Sequence, residues 1–313
     1  MNPIRLFSAV ALLASAICSS AVAADPIFPA GVRVGLTPLV GLSRAKSFVG
    51  FETEDQSVKV LVAELPADAY GEVASAFKAN PAGAGGIKPE SIETSAGLAY
   101  YTAESAKDGA TNVRRYSMIL PGGTFSGYVA VQVPGNASKI YTDEAIRQMF
   151  ATAAIRKEVP VDEQLGLMPF KISELSDFKN VRTMAIGAAI ILADGDEKTG
   201  FEAAPFMVIG LIGTAPAQPD DRGRFAQQAA TTIPGVRDAR LTMSEPVRID
   251  GMPGYETRID ATSGKDNTAV TVVQWLRFGG ASTLRIIGSA PRAEWTKAFP
   301  RFRAVRDGIQ PRG

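Results

Sequence analysis

An α+β protein of two tandem domains, each an antiparallel sheet packed with helices and both following a signal peptide, is the fold class this sequence predicts. Three observations predict it. Apolar residues alternate along much of the chain, the pattern of covered or half-covered strands. Two stretches in each half leave that alternation and place apolar residues at helical spacing instead. The two halves also match one another at a separation of about 150 residues, the mark of a duplicated unit.

The first segment reads as a leader. Arg5 gives a short basic start, Leu6 to Ile17 is an apolar run rich in Ala and Leu, and Ala21-Val22-Ala23 precedes Ala24-Asp25. That is a secretory signal peptide with an A-x-A cleavage site. The run falls short of the ~20 apolar residues that span a bilayer. Cys18 does not make it a lipoprotein signal, because Ile17 stands where such signals need a small residue. Residues 1–23 are expected to be removed and the remainder to be periplasmic or secreted.

Composition then excludes several chemistries. Cys18 is the one cysteine and there is no histidine. Once the leader is gone, no disulfide, thiolate nucleophile or cysteine-ligated metal is possible, and the commonest general base and transition-metal ligand is missing. Lys and Arg number 33 against 32 Asp and Glu, with Arg5 inside the leader. A chain so balanced disfavours nucleic-acid binding. The 46% of hydrophobic residues is enough for two cores, and no later apolar run is long enough to cross a membrane. The mature chain is therefore expected to be soluble and not an integral membrane protein.

Taken in order, the halves run in parallel. Val34-Gly35-Leu36-Thr37-Pro38 is matched by Leu165-Gly166-Leu167-Met168-Pro169. Strand-rich segments follow, Val58 to Val62 in one half and Met207 to Ile212 in the other, each leading to a Pro and Asp that suit a helix start. Tyr70, Val73 and Phe77 then recur at helical spacing, as do Phe225, Ala229 and Ile233. Extended segments come next, Ser91 to Thr94 and Leu98 to Ala103 against Leu241 to Ile249 and Gly254 to Ala261.

The match closes on Ala269 to Ile309. Val270, Val272, Gln274 and Leu276 fall on one face of a strand and Thr271, Val273 and Trp275 on the other, so both faces are covered. Gly279-Gly280 turns the chain into Leu284, Ile286 and Ile287. Trp295, Phe299, Phe302, Val305 and Ile309 then form one buried helical face. Upstream, Tyr116 to Leu120, Phe125 to Val133 and Glu144 to Lys157 correspond to Val273 to Arg277, Ser282 to Ala290 and Glu294 to Asp307. Pro160 is expected to end the first closing helix within a linker, Glu158 to Glu163. The expected domains are 24–159 and 160–313.

This order of strands, a middle helix and a closing helix after a glycine turn resembles the PsbP/Mog1/DcrB-like fold, in tandem over nearly the whole mature chain. The run Val272-Val273-Gln274-Trp275-Leu276-Arg277-Phe278-Gly279-Gly280, followed by Glu294-Trp295-Thr296-Lys297-Ala298-Phe299-Pro300, also resembles uncharacterised exported proteins of Gram-negative bacteria. The resemblance implies an accessory or adaptor protein that docks on larger assemblies, and it carries no catalytic residue set.

Candidate chemistry is sparse. Ser43-Arg44-Ala45-Lys46 fits S-x-x-K and Lys198-Thr199-Gly200 fits K-T-G, two elements of serine acyl-enzymes, but no S-D-N lies between them and the K-T-G follows a turn. Asp194, Asp196, Glu197 and Glu202 could offer oxygens to calcium, yet the EF-hand spacing is not met and a solvated hairpin loop accounts for them. Asp220-Asp221 suits a helix start, and Gly83, Gly85 and Gly86 suit a surface loop. Trp275 and Trp295 fit core packing. A basic bias from Arg285 onward leaves Arg277, Arg285, Arg301 and Arg306 as the candidates for meeting a partner. The function expected is an exported, non-catalytic binding or accessory protein with a protein partner and no cofactor. The alternatives are a serine acyl-enzyme hydrolase or transferase using Ser43 and Lys46, and a small-ligand or metal binder between the two domains.

Overall fold

Strand order is the same in both halves of the chain. The computed structural model describes residues 25–81, 89–109, 111–185, 187–196, 200, 203–264, 266–279 and 282–312. The expected leader, residues 1–23, lies outside the described residues. The first half runs β1 (Val34–Gly35), β2 (Leu42–Arg44), β3 (Gly50–Thr53), β4 (Lys59–Leu65), α1 (Ala69–Ala79), β5 (Pro89–Thr94), β6 (Gly97–Asp108), β7 (Thr111–Pro121), β8 (Ser126–Pro134), α2 (Asp143–Ala151) and β9 (Ala154–Ile155). After α3 (Val161–Gly166) come β10 (Phe170–Ile172), β11 (Asn180–Ala185), β12 (Ala189–Ala193), β13 (Phe206–Ile212), α4 (Arg222–Ala230), β14 (Val236–Ile249), β15 (Met252–Ser263), β16 (Thr268–Phe278), β17 (Thr283–Pro291), α5 (Trp295–Asp307) and β18 (Ile309–Pro311).

Two seven-stranded antiparallel sheets result, in the orders β2-β3-β4-β8-β7-β6-β5 and β11-β12-β13-β17-β16-β15-β14. The permutation is identical. So are the lengths of paired equivalents: β6 and β15 have 12 residues each, β7 and β16 have 11, β8 and β17 have 9. The α+β class and the two-domain plan expected from the sequence hold.

Each sheet is covered by helices because its strands alternate apolar residues to both sides. In the first domain, Met118, Val129 and Val131 share a core with Ile146, Met149 and Phe150 of α2, while Phe77 of α1 sets its ring edge-on against Tyr100 on the opposite face. In the second, Val273, Trp275 and Ile286 pack with Ala298, Phe302 and Val305 of α5. Leu276 and Phe278 meet Ala226 of α4, with Val270 and Val272 against Ala230. β16 is thus covered on both faces, as its sequence requires. α5 lies so near the sheet that a Cβ on Gly288 would fall 2.7 Å from the Phe302 ring.

Short two-stranded sheets tie the ends of each domain together: β1 pairs with β9, and β10 with β18. These ties change where the elements near the domain ends begin and stop. The first closing helix stops at Ala151, and Thr152 ends it by donating its hydroxyl to the Met149 carbonyl (2.6 Å). Ala154-Ile155 is strand, drawn out of the helix by pairing with Val34-Gly35. Pro160 therefore does not end that helix, and the expected linker is partly helical, since α3 begins at Val161. Leu165-Gly166 closes α3, so its match to Val34-Gly35 is not structural; the strand equivalent to β1 is β10. Ile309 likewise leaves the helical face and sits buried in β18.

Candidate functional site at the domain junction

Helix α3 bonds to both domains through two consecutive residues. Neighbours on a helix project about 100° apart, so they can serve different sides. Glu163 turns to the first domain, accepting the Gly31 amide (2.8 Å) and both terminal nitrogens of Arg156 (2.9 and 2.6 Å). Burial works to raise its pKa, but the hydrogen bonds from Arg156 and Gly31 outweigh that and hold it below the usual carboxylate value. Gln164 turns to the second domain and is only 5% exposed. Its amide nitrogen donates to the carbonyls of Val159 (3.1 Å) and Val181 (2.7 Å), and its oxygen accepts the Thr183 amide (2.7 Å). The side chain thereby fastens α3 to the outer side of edge strand β11.

Beside this clasp, Glu64 of β4 accepts the Arg33 amide (2.7 Å) and is gripped by the Arg33 guanidinium, with both side chains largely buried at 15% and 11% exposure. That guanidinium also stacks over Phe125 at 3.9 Å. From the second domain Arg182 reaches the same carboxylate at 3.4 Å. Burial, and then the charge of Arg33, push the Arg182 pKa down, with Glu64 opposing them. Around these groups opens a cleft of about 360 Å³, lined by Arg33, Glu64, Lys157, Gln164, Lys179 and Arg182 among others. Its walls offer charged donors and acceptors from both domains.

Of the residues singled out from sequence, Asp196 lines this cleft; the others described here lie elsewhere. Ser43 is exposed on β2 and donates to the Glu52 carbonyl at 3.4 Å, while the Lys46 amide donates to the Glu52 carboxylate at 3.1 Å. S-x-x-K brings lysine to serine across a helical turn, and Ser43 here is on an extended strand. Lys198 and Thr199 lie outside the described residues, as do Glu197, Glu202, Gly83, Gly85 and Gly86. Asp194 is held by Arg301 (2.6 Å), and Asp221 by Arg224 (3.2 Å). No group of three or more metal-ligating side chains is found among the described residues.

The four arginines are engaged inside the second domain. Arg277 donates to the Ile309 carbonyl (3.1 Å), and Arg285 to Gln274 (2.9 Å) and the Ala229 carbonyl (2.6 Å). Burial lowers the pKa of both. Arg301 binds Asp194 and the Ser176 carbonyl, and Arg306 bonds Asp307 (2.6 Å) with its guanidinium over Trp275. Arg285 sits under α4, on the sheet face opposite Arg277, so the four are not gathered into one patch. Trp275 has no exposed surface, and Trp295 is partly buried against the same core.

Reading the sequence missed the clasp. Pro160 followed by Asp162 and Glu163 is a helix-start signature that could have found α3, but Glu163's partner Gly31 lies 132 residues away.

By its topology the chain is a tandem of two α+β domains with one strand order. No family model matches it, and no curated protein does. Among solved structures, LpqN of Mycobacterium tuberculosis, described as involved in cell envelope biogenesis, is similar at 14% identity over 45% of this chain and 83% of its own, with a TM-score of 0.33. A cyanobacterial PsbP from Synechocystis sp. is similar at 14% identity over 46% of this chain and 82% of its own, TM-score 0.31. The T6SS immunity protein TplEi of Pseudomonas aeruginosa is similar at 9% identity over 92% of this chain and 97% of its own, TM-score 0.28. Likeness at this level extends to no function. No helix among the described residues is long and apolar enough to cross a membrane.

Proposed function

We propose that the chain is an exported, non-catalytic accessory protein that works by binding another protein, with the junction cleft and its rim as the contact surface. One observation carries the reading: adjacent residues of α3, Glu163 and Gln164, are each bonded to a different domain, which holds the two as a composite face. A linker that only connected would not spend a buried glutamine on three hydrogen bonds, since such a group is costly unless fully satisfied. Lys157 and Lys179 stand on the rim from opposite sides of the clasp and supply charge for steering a partner. Arg277, Arg285, Arg301 and Arg306 enter this reading as scaffold. The domains are taken as 24–159 and 160–313, after a leader cleaved behind Ala23.

Photo-crosslinking groups placed at Lys157 and Lys179 in cells, followed by mass spectrometry, test it. A reproducible partner is expected from both sites and none from Lys107, at the far end of β6. Failure to recover any partner from the rim counts against the reading. The intact mass of the exported protein is expected to begin at Ala24 and to stay unchanged after incubation with a β-lactam.

A further inference from the structure

The second domain holds a pocket of about 370 Å³ between the start of α4 and the sheet, lined by Pro219, Arg222, Pro246, Arg248, Pro253 and Tyr255, with Val247 and Gly254 behind. None of these residues is acidic. Arg222 lays its guanidinium over Phe278 at 5.3 Å, and its Nε is buried with no hydrogen-bond partner among the described residues. Arg248 is exposed and, among the described residues, donates to the Gly251 carbonyl (2.8 Å). Of the acidic neighbours, Asp221 is bonded to Arg224, strand alternation puts Glu245 on the other face from Pro246, and Asp220 is exposed beside Pro219.

The first domain reveals what fills the equivalent place. In the sheets, Tyr255 lies opposite Pro246 and Pro253 opposite Arg248; at the same register positions Tyr100 lies opposite Ser91 and Leu98 opposite Glu93. There, Tyr70 in the first turn of α1 sets its ring 5.9 Å from Tyr100 and donates its hydroxyl to the Leu98 carbonyl at 2.6 Å. Burial, Tyr100 and Glu93 together push the Tyr70 pKa up, consistent with the phenol lying beside that carboxylate. The second residue of α4, in the place of Tyr70, is Gly223, and Phe225 two residues on sets its ring against Phe278 at 6.1 Å. At Gly223 a Cβ would already approach the Tyr255 hydroxyl at 3.0 Å, and the charge at the rim is reversed from Glu93 to Arg248.

We propose that this pocket binds a small aromatic carboxylate, its ring lying against Tyr255 and the proline rings and its carboxylate between Arg222 and Arg248. Proline rings and Tyr255 supply the apolar walls, and the two guanidiniums supply charge-assisted hydrogen bonds. The test is titration of the full mature chain with phenylacetate, benzyl alcohol and inorganic phosphate, followed by amide NMR shifts and calorimetry. Phenylacetate is expected to bind tightest and to shift amides of residues 219–223 and 246–255. Arg248→Glu, an exposed change that copies Glu93, is expected to weaken it by at least about tenfold with the melting temperature retained, and Arg222→Gln to act in the same direction. Equal binding of benzyl alcohol or of phosphate overturns the proposal. So do shifts confined to the first domain or the junction, or undiminished binding by both variants.

Discussion

Trp275 donates its indole N–H to Glu256 at 2.8 Å, and that carboxylate, only 8% exposed, also takes Arg258 at 2.9 Å with Arg306 at 3.9 Å. A buried carboxylate is tolerable only while ringed by donors, so the tryptophan is both filler and partner. Trp275→Ala is expected to cost about 3–5 kcal/mol, read as a loss of melting temperature; a barely changed melt would remove the core role. In the first domain, Asp143 sits below its ordinary pKa of 3.8, chiefly through the hydrogen bond from Tyr116 (2.5 Å), with Arg114 adding to it and burial opposing. A carboxylate depressed on folding adds stability above its unfolded pKa, and that stability drains away as pH falls through the folded value. Asp143→Asn should therefore make the acid limb of the stability curve shallower between about pH 5 and 2, measured by urea unfolding at stepped pH.

α5 keeps its helical course through Pro300, which is exposed. Proline there forgoes an amide donor and crowds the preceding turn, so Pro300→Ala is expected to raise the second domain's stability by up to about 3 kcal/mol, seen as a higher urea midpoint. At α3, Gln164→Ala should cost about 1–3 kcal/mol, because it leaves the Val181 carbonyl and the Thr183 amide without their partner; an unchanged midpoint would mean that the clasp holds nothing. Strands such as β16 were legible in the sequence because period two is a local signal, carried by Val270, Val272 and Leu276 against Val273 and Trp275. β9 was not, because Ala154-Ile155 suits a helix locally and becomes strand only by meeting Val34. The junction was hidden for the same reason: Arg33, Glu64 and Arg182 come from three distant elements. The pocket beside α4 depends on Gly223 standing where α1 has Tyr70, and a missing side chain leaves no pattern.

Each domain carries its own buried cluster, one built from Val32 to Ala153 and the larger of the others from Met168 to Ile309. Either half should then fold alone, though not equally well however the chain is cut. A fragment of residues 24–159 forfeits the Glu163 contacts to Gly31 and Arg156, while 24–166 keeps them, so the longer fragment is expected to melt higher; equal melting temperatures would assign those contacts no energy. The pairing of first strand with last, β1 with β9 and β10 with β18, reaches beyond stability. It leaves the start and finish of each unit side by side, as domain termini often lie. A gene segment encoding such a unit can be copied head to tail with only a short joint, and neither copy gives up a contact to accommodate the other. Here the joint is the stretch from Arg156 to Gly166, with the bonds from Glu163 and Gln164 and the reach of Arg182 to Glu64 tying the two units across it.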